Sequence, residues 1–576
     1  MTSTIPEIPP PAPASPAAPM PPRGGLERWC GWIALTLAAL SLLSIRSYPF
    51  YDPDEFNYID ASRGMVEQGD WITPHFNGEA RVVKPVLFYW IVAATFKIFG
   101  AHVALARLCS AAAAAAGVVM VGLTARHLLG NRAALLAALF AAGHLSVAQL
   151  SHVASVDPTL WAFTAVANCA FIRVAFPLDD GALSRGCGYL FFAATALALL
   201  TKGPVALVWC LVPFLWLIIR RDWAALGRFP WVRGVLLMLL LVVPWASFFI
   251  ARNAHQLKAM LWESTSHESY AQFAGPTSSL GDAARILEQL LPSIGPWLPL
   301  IILALVGGWR AGFNAKTRCG AFLIFWLATL LLILTLAHNK SFRYMLTPIG
   351  PTCLLLAGWF DAALDDPKTR RGLSVAAISY GIVTALLAVP ILVVIFANPH
   401  EETRWLWGHV AVLAICSEML LRSWRSGRIH RLLPAMVVGV IYVNMFVANL
   451  SIPPLTGTTM ATLGGVIERS VPPDQPFVAA GGLSPRYLVY FSRRLMRDVR
   501  TPGQLAAALE TAPACLVRQR DWDQVPPQMR APFVTVAHCI VPRRPPILSP
   551  VLAKNREEAI LVVRQSLAAT QPSVSH

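Results

Sequence analysis

Charge is what this 576-residue chain lacks: only 14% of its residues are Asp, Glu, Lys or Arg, where a soluble domain carries about 25%. With 56% hydrophobic residues, that shortage excludes an ordinary soluble globular protein, because long apolar runs need hydrocarbon as their solvent. Acids are scarcer than bases, 31 against 47, leaving a net charge of +16. The bases sit in short clusters between apolar segments, with no basic domain interleaved by aromatics, so the excess does not point to nucleic acid. Ten cysteines contain no CxxC pair, which removes the usual zinc and thiol-redox motifs. The apolar runs hold almost no ionisable residues, whereas a channel or pump keeps some near mid-bilayer. No internal inverted repeat of the kind found in transporters is visible.

What is present is a series of runs long enough to cross a bilayer. Residues 1–24 are Pro- and Ala-rich and read as a disordered cytoplasmic tail. Spans are expected near 27–46, 103–126, 132–151, 158–177, 187–201, 203–220, 232–251, 289–308, 319–337, 344–364, 373–397, 405–422 and 431–451. The run 86–100 is short, aromatic and interrupted by Lys97, and reads as an interfacial helix. With the N-terminus inside, the clusters at Arg126/Arg132, Arg220/Arg221, Lys368–Arg371 and Arg422–Arg431 all fall on the cytoplasmic side; counting 86–100 as a span breaks that agreement. The fold class is therefore a polytopic α-helical membrane protein of about thirteen spans, residues 25–452, with outer loops at 47–102 and 252–288. Residues 453–576 add a small periplasmic α/β domain, with strands expected in PFVAAGG, YLVYF, ACLVR, FVTVAHCIV and AILVVR. There Cys515 and Cys539 form either a disulfide or two buried free thiols.

This topology sorts the ionisable residues by side. Asp54, Glu55, Lys84, Asp157, Lys202, His267, Glu268, Arg343 and Tyr344 come from separate stretches and fall on one outer face. A Lys at a helix end is commonly just snorkelling to water. Acids are harder to dismiss, and Asp54 and Asp157 each lie among apolar neighbours beside a proline. Carboxylates mixed with Lys and Arg at a membrane face suit a phosphate-bearing lipid: cations neutralise a phosphate leaving group, and a carboxylate binds, orients or deprotonates the acceptor.

The run D-E-x-x-Y (Asp54, Glu55, Tyr58) is followed by G-D-W-I-T-P (Gly69–Pro74), F-N-G (Phe76–Gly78) and K-P with Y-W (Lys84, Pro85, Tyr89, Trp90). It closely resembles the first outer loop of the bacterial lipid A aminoarabinose transferases, membrane glycosyltransferases of the C type related to protein O-mannosyltransferases. The resemblance continues through V-D-P (Val156–Pro158), T-K-G (Thr201–Gly203) and the Tyr344 segment, covering roughly 30–365. It implies inverting transfer of a sugar from undecaprenyl phosphate to an acceptor at the periplasmic face of the inner membrane. The implied sugar is 4-amino-4-deoxy-L-arabinose and the implied acceptor a lipid A phosphate, in a protein taken as a monomer. Asp54 and Asp157 match the family's two acids, and Lys84, Lys202, Arg343 and Tyr344 match its donor-phosphate site. Glu55, Tyr58 and Glu79 are expected at the substrate. Two departures stand out: Val83 replaces a Glu before Lys-Pro, and Asn57 replaces an Arg before the motif tyrosine. They leave open another lipid-linked sugar, a hexuronic acid or hexose, on an envelope acceptor. A divalent metal, zinc by preference, would have only His267 and Glu268, and two ligands do not complete a site. A lipid-linked sugar transporter and a structural assembly protein are the rival classes.

Overall fold

The structure is a computed structural model that describes residues 54–81, 83–177, 182–254, 318–336, 342–365, 457–480, 483, 486–542 and 556–568, with isolated positions between 392 and 422. The expected spans at 27–46, 289–308, 373–397 and 431–451, the 1–24 tail, and His267 and Glu268 lie outside the described residues.

The first outer loop opens with α1 (Glu55–Gln68), which ends at Gly69 in the left-handed conformation. A two-stranded hairpin follows, β1 (His75–Phe76) and β2 (Glu79–Ala80), joined by Asn77 and Gly78. Both turn residues have positive φ, 54° and 81°, as a tight two-residue hairpin turn requires, and Asn-Gly is the pair that adopts it most readily. Next comes α2 (Leu87–Phe99), a 13-residue helix with Ile98 and Phe99 exposed. At about 1.5 Å per residue it is too short to cross hydrocarbon and fits an interfacial helix.

The bundle begins with α3 (Val103–Leu129), α4 (Asn131–Ala142) and the short α5 (Leu145–Leu150). It continues with α6 (Val156–Ala175), α7 (Ala182–Lys202), α8 (Val205–Ile219), the short α9 (Trp223–Gly227) and α10 (Trp231–Arg252). Then come α11 (Arg318–Leu336), a 3-10 turn (Phe342–Leu346) and α12 (Ile349–Asp365). The run expected as one span at 132–151 is divided at Gly143 and His144 into α4 and α5. Among the described residues α3, α6 and α10 are long and apolar enough to cross a membrane. Helix α10 leaves Val232, Leu236, Leu240, Val243 and Phe248 exposed, an apolar stripe at helical spacing that hydrocarbon would cover. Close packing elsewhere depends on small residues. A Cβ on Gly117 would stand 2.4 Å from the Trp161 ring, so only glycine lets α6 lie this near α3.

Beyond the bundle, α13 (Gly457–Ser470) leads into a five-stranded sheet of order β4-β3-β5-β7-β6. Its strands are β3 (Phe477–Ala480), β4 (Met496–Val499), β5 (Ala514–Arg518), β6 (Phe533–Pro542) and β7 (Arg556–Arg564). β3 pairs in parallel with β4 and β5; β7 pairs antiparallel with β5 and β6. The expected strand YLVYF is instead helix α14 (Arg486–Ser492). Tyr487, Tyr490 and Phe491 recur at helical spacing and all pack on Phe56 of α1. The reading of Cys515 and Cys539 also resolves. β7 lies between their strands and their partners on it are three residues apart, putting their Cα atoms more than ~10 Å apart, beyond the ~7 Å that a disulfide spans. Cys515 is a buried free thiol.

Candidate active site

Motif residues of the first loop divide into those that build it and those that face the cluster. Asp70 accepts from the backbone N–H groups of Ile72 and Thr73 at 3.0 and 3.2 Å and from Arg252 at 3.0 Å. Trp245 donates to the Ile72 carbonyl at 3.0 Å, and Asn253 to Thr73 Oγ1 at 3.1 Å. G-D-W-I-T-P is thus the seam that fastens the loop to the end of α10. Asn77, at the hairpin tip, exchanges two bonds with the Met496 backbone, donating at 2.8 Å and accepting at 2.7 Å. Tyr490 donates to the Ala101 carbonyl at 3.0 Å, and Arg63 to the Tyr490 carbonyl at 2.7 Å. Through these bonds and the aromatic cluster on Phe56, the C-terminal domain sits directly on the first loop.

Two residues expected at the substrate are enclosed by other side chains. Glu55 is fully enclosed: Arg107 grips both carboxylate oxygens, at 2.7 and 2.8 Å, and the Ala154 N–H donates at 2.9 Å. It ties α1 to α3 and to the loop before α6, with both carboxylate oxygens engaged. Tyr58 is buried against Phe88 and Tyr89, with Arg81 over its ring. Glu79 stands exposed on β2.

The remaining residues converge. Asp157 opens α6, where Ser155 caps the helix and donates to Asp157 Oδ2 at 2.8 Å. Lys202, the last residue of α7, donates to Asp157 Oδ1 at 2.7 Å, with its side chain 2% exposed and that of Asp157 1%. Its ammonium also lies 4.8 Å from the centre of the Tyr344 ring. Gly203 follows with φ +77°, a left-handed turn that stops α7 with Lys202 at its tip and brings Pro85 alongside. The buried Lys84 precedes that proline, so K-P and T-K-G meet.

Asp54 lies on the open side of this group. Arg343 donates to Oδ2 at 3.1 Å, and Arg486 and Asn57 donate to Oδ1 at 3.3 and 3.2 Å. Arg343 is within electrostatic reach of Asp157 as well, so one guanidinium spans both acids. Burial pushes the Asp54 carboxyl up, but Arg343, Arg81 and Arg486 together outweigh it and hold the group below its ordinary 3.8. Sequence reasoning missed Arg81 and Arg486. Arg81 lies within the motif loop; Arg486 is 432 residues from Asp54 and carries no local signal.

Both acids are engaged by Lys or Arg, and among the described residues no cluster of three His, Cys, Asp or Glu could hold an ion.

Chemically, two fixed carboxylates facing several cations can stabilise a departing phosphate and orient an incoming nucleophile. Residues 33–259 match the family described as dolichyl-phosphate-mannose-protein mannosyltransferase. The chain is 30% identical to the undecaprenyl phosphate-α-4-amino-4-deoxy-L-arabinose arabinosyl transferase of Pseudomonas aeruginosa (strain UCBPP-PA14), over 67% of this chain and 69% of that one. The transferase of the same name from Aeromonas hydrophila is 29% identical over 65% and 67%. The crystal structure of ArnT from Cupriavidus metallidurans bound to undecaprenyl phosphate superposes with TM-score 0.71 at 20% identity, covering 94% of this chain and 99% of that one. The archaeal oligosaccharyltransferase AglB from Archaeoglobus fulgidus shares the fold more distantly, at TM-score 0.51 and 11% identity over 85% and 69%. Fold and relatives define a membrane-embedded, polyprenyl-phosphate-dependent glycosyltransferase. Within that class, the chain belongs to the undecaprenyl phosphate-aminoarabinose arabinosyl transferase family.

Proposed function

We propose that this enzyme transfers 4-amino-4-deoxy-L-arabinose from undecaprenyl phosphate to a lipid A phosphate at the periplasmic face of the inner membrane. The observation that carries the reading is the pairing of a sealed Asp157–Lys202–Tyr344 group with an open, arginine-held Asp54 at one end of the bundle. The donor phosphate sits against Lys84, Lys202, Arg343 and Tyr344. As the bond from sugar C1 to the phosphate oxygen breaks, the phosphate keeps the electron pair and these cations take up its growing charge. An oxygen of the acceptor phosphate forms the new bond to C1 from the opposite face, which inverts the anomeric centre. That nucleophile is already anionic, so Asp54 orients it and the arginines around it without serving as a strong base.

The test uses the purified full-length protein in detergent, with aminoarabinose, galacturonate and mannose donors, and lipid A or outer-membrane extract as acceptor. Mass spectrometry is expected to show one aminoarabinose added to lipid A, and none with Asp54→Asn. Val83 and Asn57 favour a second reading, a different sugar on an envelope acceptor; gain of another sugar alone would select it. Transfer with no pair, from folded protein, would overturn both.

A pH prediction follows from Asp54. A carboxyl with a lowered pKa stays charged at every pH above its ordinary value, and its ion pairs are lost only as pH falls through the lower, folded value. Between pH 5 and 8 the rate is therefore expected to show no Asp54 limb. The one rise expected lies near pH 6, from the second ionisation of the acceptor phosphate. A limb in that window that moves with Asp54→Glu and not with the acceptor would contradict this.

A further inference from the structure

We propose that Arg486 and Arg81 form the binding site for the acceptor's phosphate, so that the C-terminal domain supplies part of acceptor recognition. The proposal rests on the reading of an anionic acceptor given above. It starts from a charge imbalance. Asp54 is one carboxylate within the field of three guanidiniums: Arg343 and Arg486 bond to separate oxygens, and Arg81 acts on it through space. Arg343 also lies within electrostatic reach of Asp157, so it is shared between the two acids. Arg81 is fixed by its bond to Tyr89 Oη at 3.0 Å and by its position over the Tyr58 ring, which aims it without neutralising it.

Arg486 differs from these in exposure and mounting. Its side chain is 37% exposed and that of Asp54 36%, whereas the Asp157–Lys202 pair is closed to solvent. Among the described residues its side chain bonds to Asp54 at 3.3 Å, longer than the 3.1 Å bond from Arg343 and the 3.2 Å bond from Asn57. A guanidinium has five N–H donors in a planar fork that fits a phosphate with two parallel bonds. One long bond to a carboxylate oxygen leaves most of that fork for a second anion.

Its carrier is firmly placed. Helix α14 packs Tyr487, Tyr490 and Phe491 on Phe56 of α1, immediately after Asp54 and Glu55. The Arg63 bond to the Tyr490 carbonyl holds the same helix, and the Asn77–Met496 pair of bonds fastens β4, the strand that follows it. A cation placed this rigidly beside the open acid, and away from the sealed Lys202, marks where a second phosphate enters. Asn57 gives a local reason for recruiting a distant arginine. Its amide reaches the same Asp54 oxygen as Arg486 but brings no charge.

The test measures equilibrium binding of the purified full-length protein to lipid A, to dephosphorylated lipid A and to undecaprenyl phosphate, alongside sugar transfer. Arg486→Ala is expected to weaken lipid A binding about tenfold or more, the scale of one charge-assisted bond, and to leave dephosphorylated lipid A and undecaprenyl phosphate unchanged. Arg486→Lys is expected to recover part of the loss, and the acceptor KM to rise with kcat nearly constant. Equal losses for both forms of lipid A, or a loss confined to undecaprenyl phosphate, would overturn the proposal. So would a wild-type protein indifferent to the phosphates. Should the wild type transfer no sugar yet lose its phosphate preference with Arg486→Ala, the anion site stands and the transfer reading fails. Melting temperature in detergent separates all of these from loss of fold, with Arg486→Gln as a second variant that keeps the side-chain length.

Discussion

Lys202→Met is expected to reduce sugar transfer by about 10²–10³-fold, the cost of removing one preorganised donor from a developing anion. The same change strips the enclosed Asp157 of its cation. Breaking a buried pair from one side costs roughly 3–5 kcal/mol, so folded protein should also fall. The two effects separate in the double variant Lys202→Met/Asp157→Leu, which leaves no lone charge. It should recover most of the melting temperature measured in detergent and none of the transfer. If turnover returned along with stability, Lys202 would be a structural partner of Asp157 and would have no place at the donor phosphate.

Glu55→Gln should behave in the opposite sense. Its carboxylate is held at both oxygens by Arg107 and by a backbone N–H, and is closed to solvent. A neutral amide there leaves the Arg107 guanidinium buried without a counter-charge, at a cost of roughly 3–5 kcal/mol. The expected result is a lower melting temperature and less folded protein, with each folded molecule keeping the wild-type KM for donor and acceptor. A raised KM at an unchanged melting temperature would return Glu55 to the substrate. Adjacent in sequence, Asp54 and Glu55 thus have separate tasks, because a helix starting at residue 55 turns its first side chain inward and leaves the capping residue outside.

Hydropathy located the described bundle well, since apolar length and basic loops are properties that a bilayer reads directly. The run 103–126 is found as Val103–Leu129, and 232–251 as Trp231–Arg252. Thr501 and Gln504, a reciprocal capping pair, mark the helix expected in TPGQLAAALETA. YLVYF was misread because five apolar residues fit a strand and a helix equally until the neighbour is known, and the neighbour is Phe56. Strand β4 (Met496–Val499) went unseen for a related reason. MRDV is half polar, and it becomes a strand because it can pair with β3.

The site divides along the same line. Asp54, Asp157, Lys84 and Lys202 stand in motifs whose spacing can be read along the chain. Arg107 does not, since its partner lies 52 residues away and nothing around it distinguishes a gripping arginine from a helix-end one. Arg486 is farther still from any motif, and only the docking of two aromatic surfaces brings it to the acid.

That docking also sets a clock. Arg486 is made 432 residues after the acid it touches. At a synthesis rate of roughly 5–20 residues per second, the Asp54 cluster waits about 20–90 s for its last cation. The helices that precede the C-terminal domain can enter the bilayer throughout that interval. If Arg486 holds the acceptor as proposed, a nascent chain can meet the donor before it can hold the acceptor.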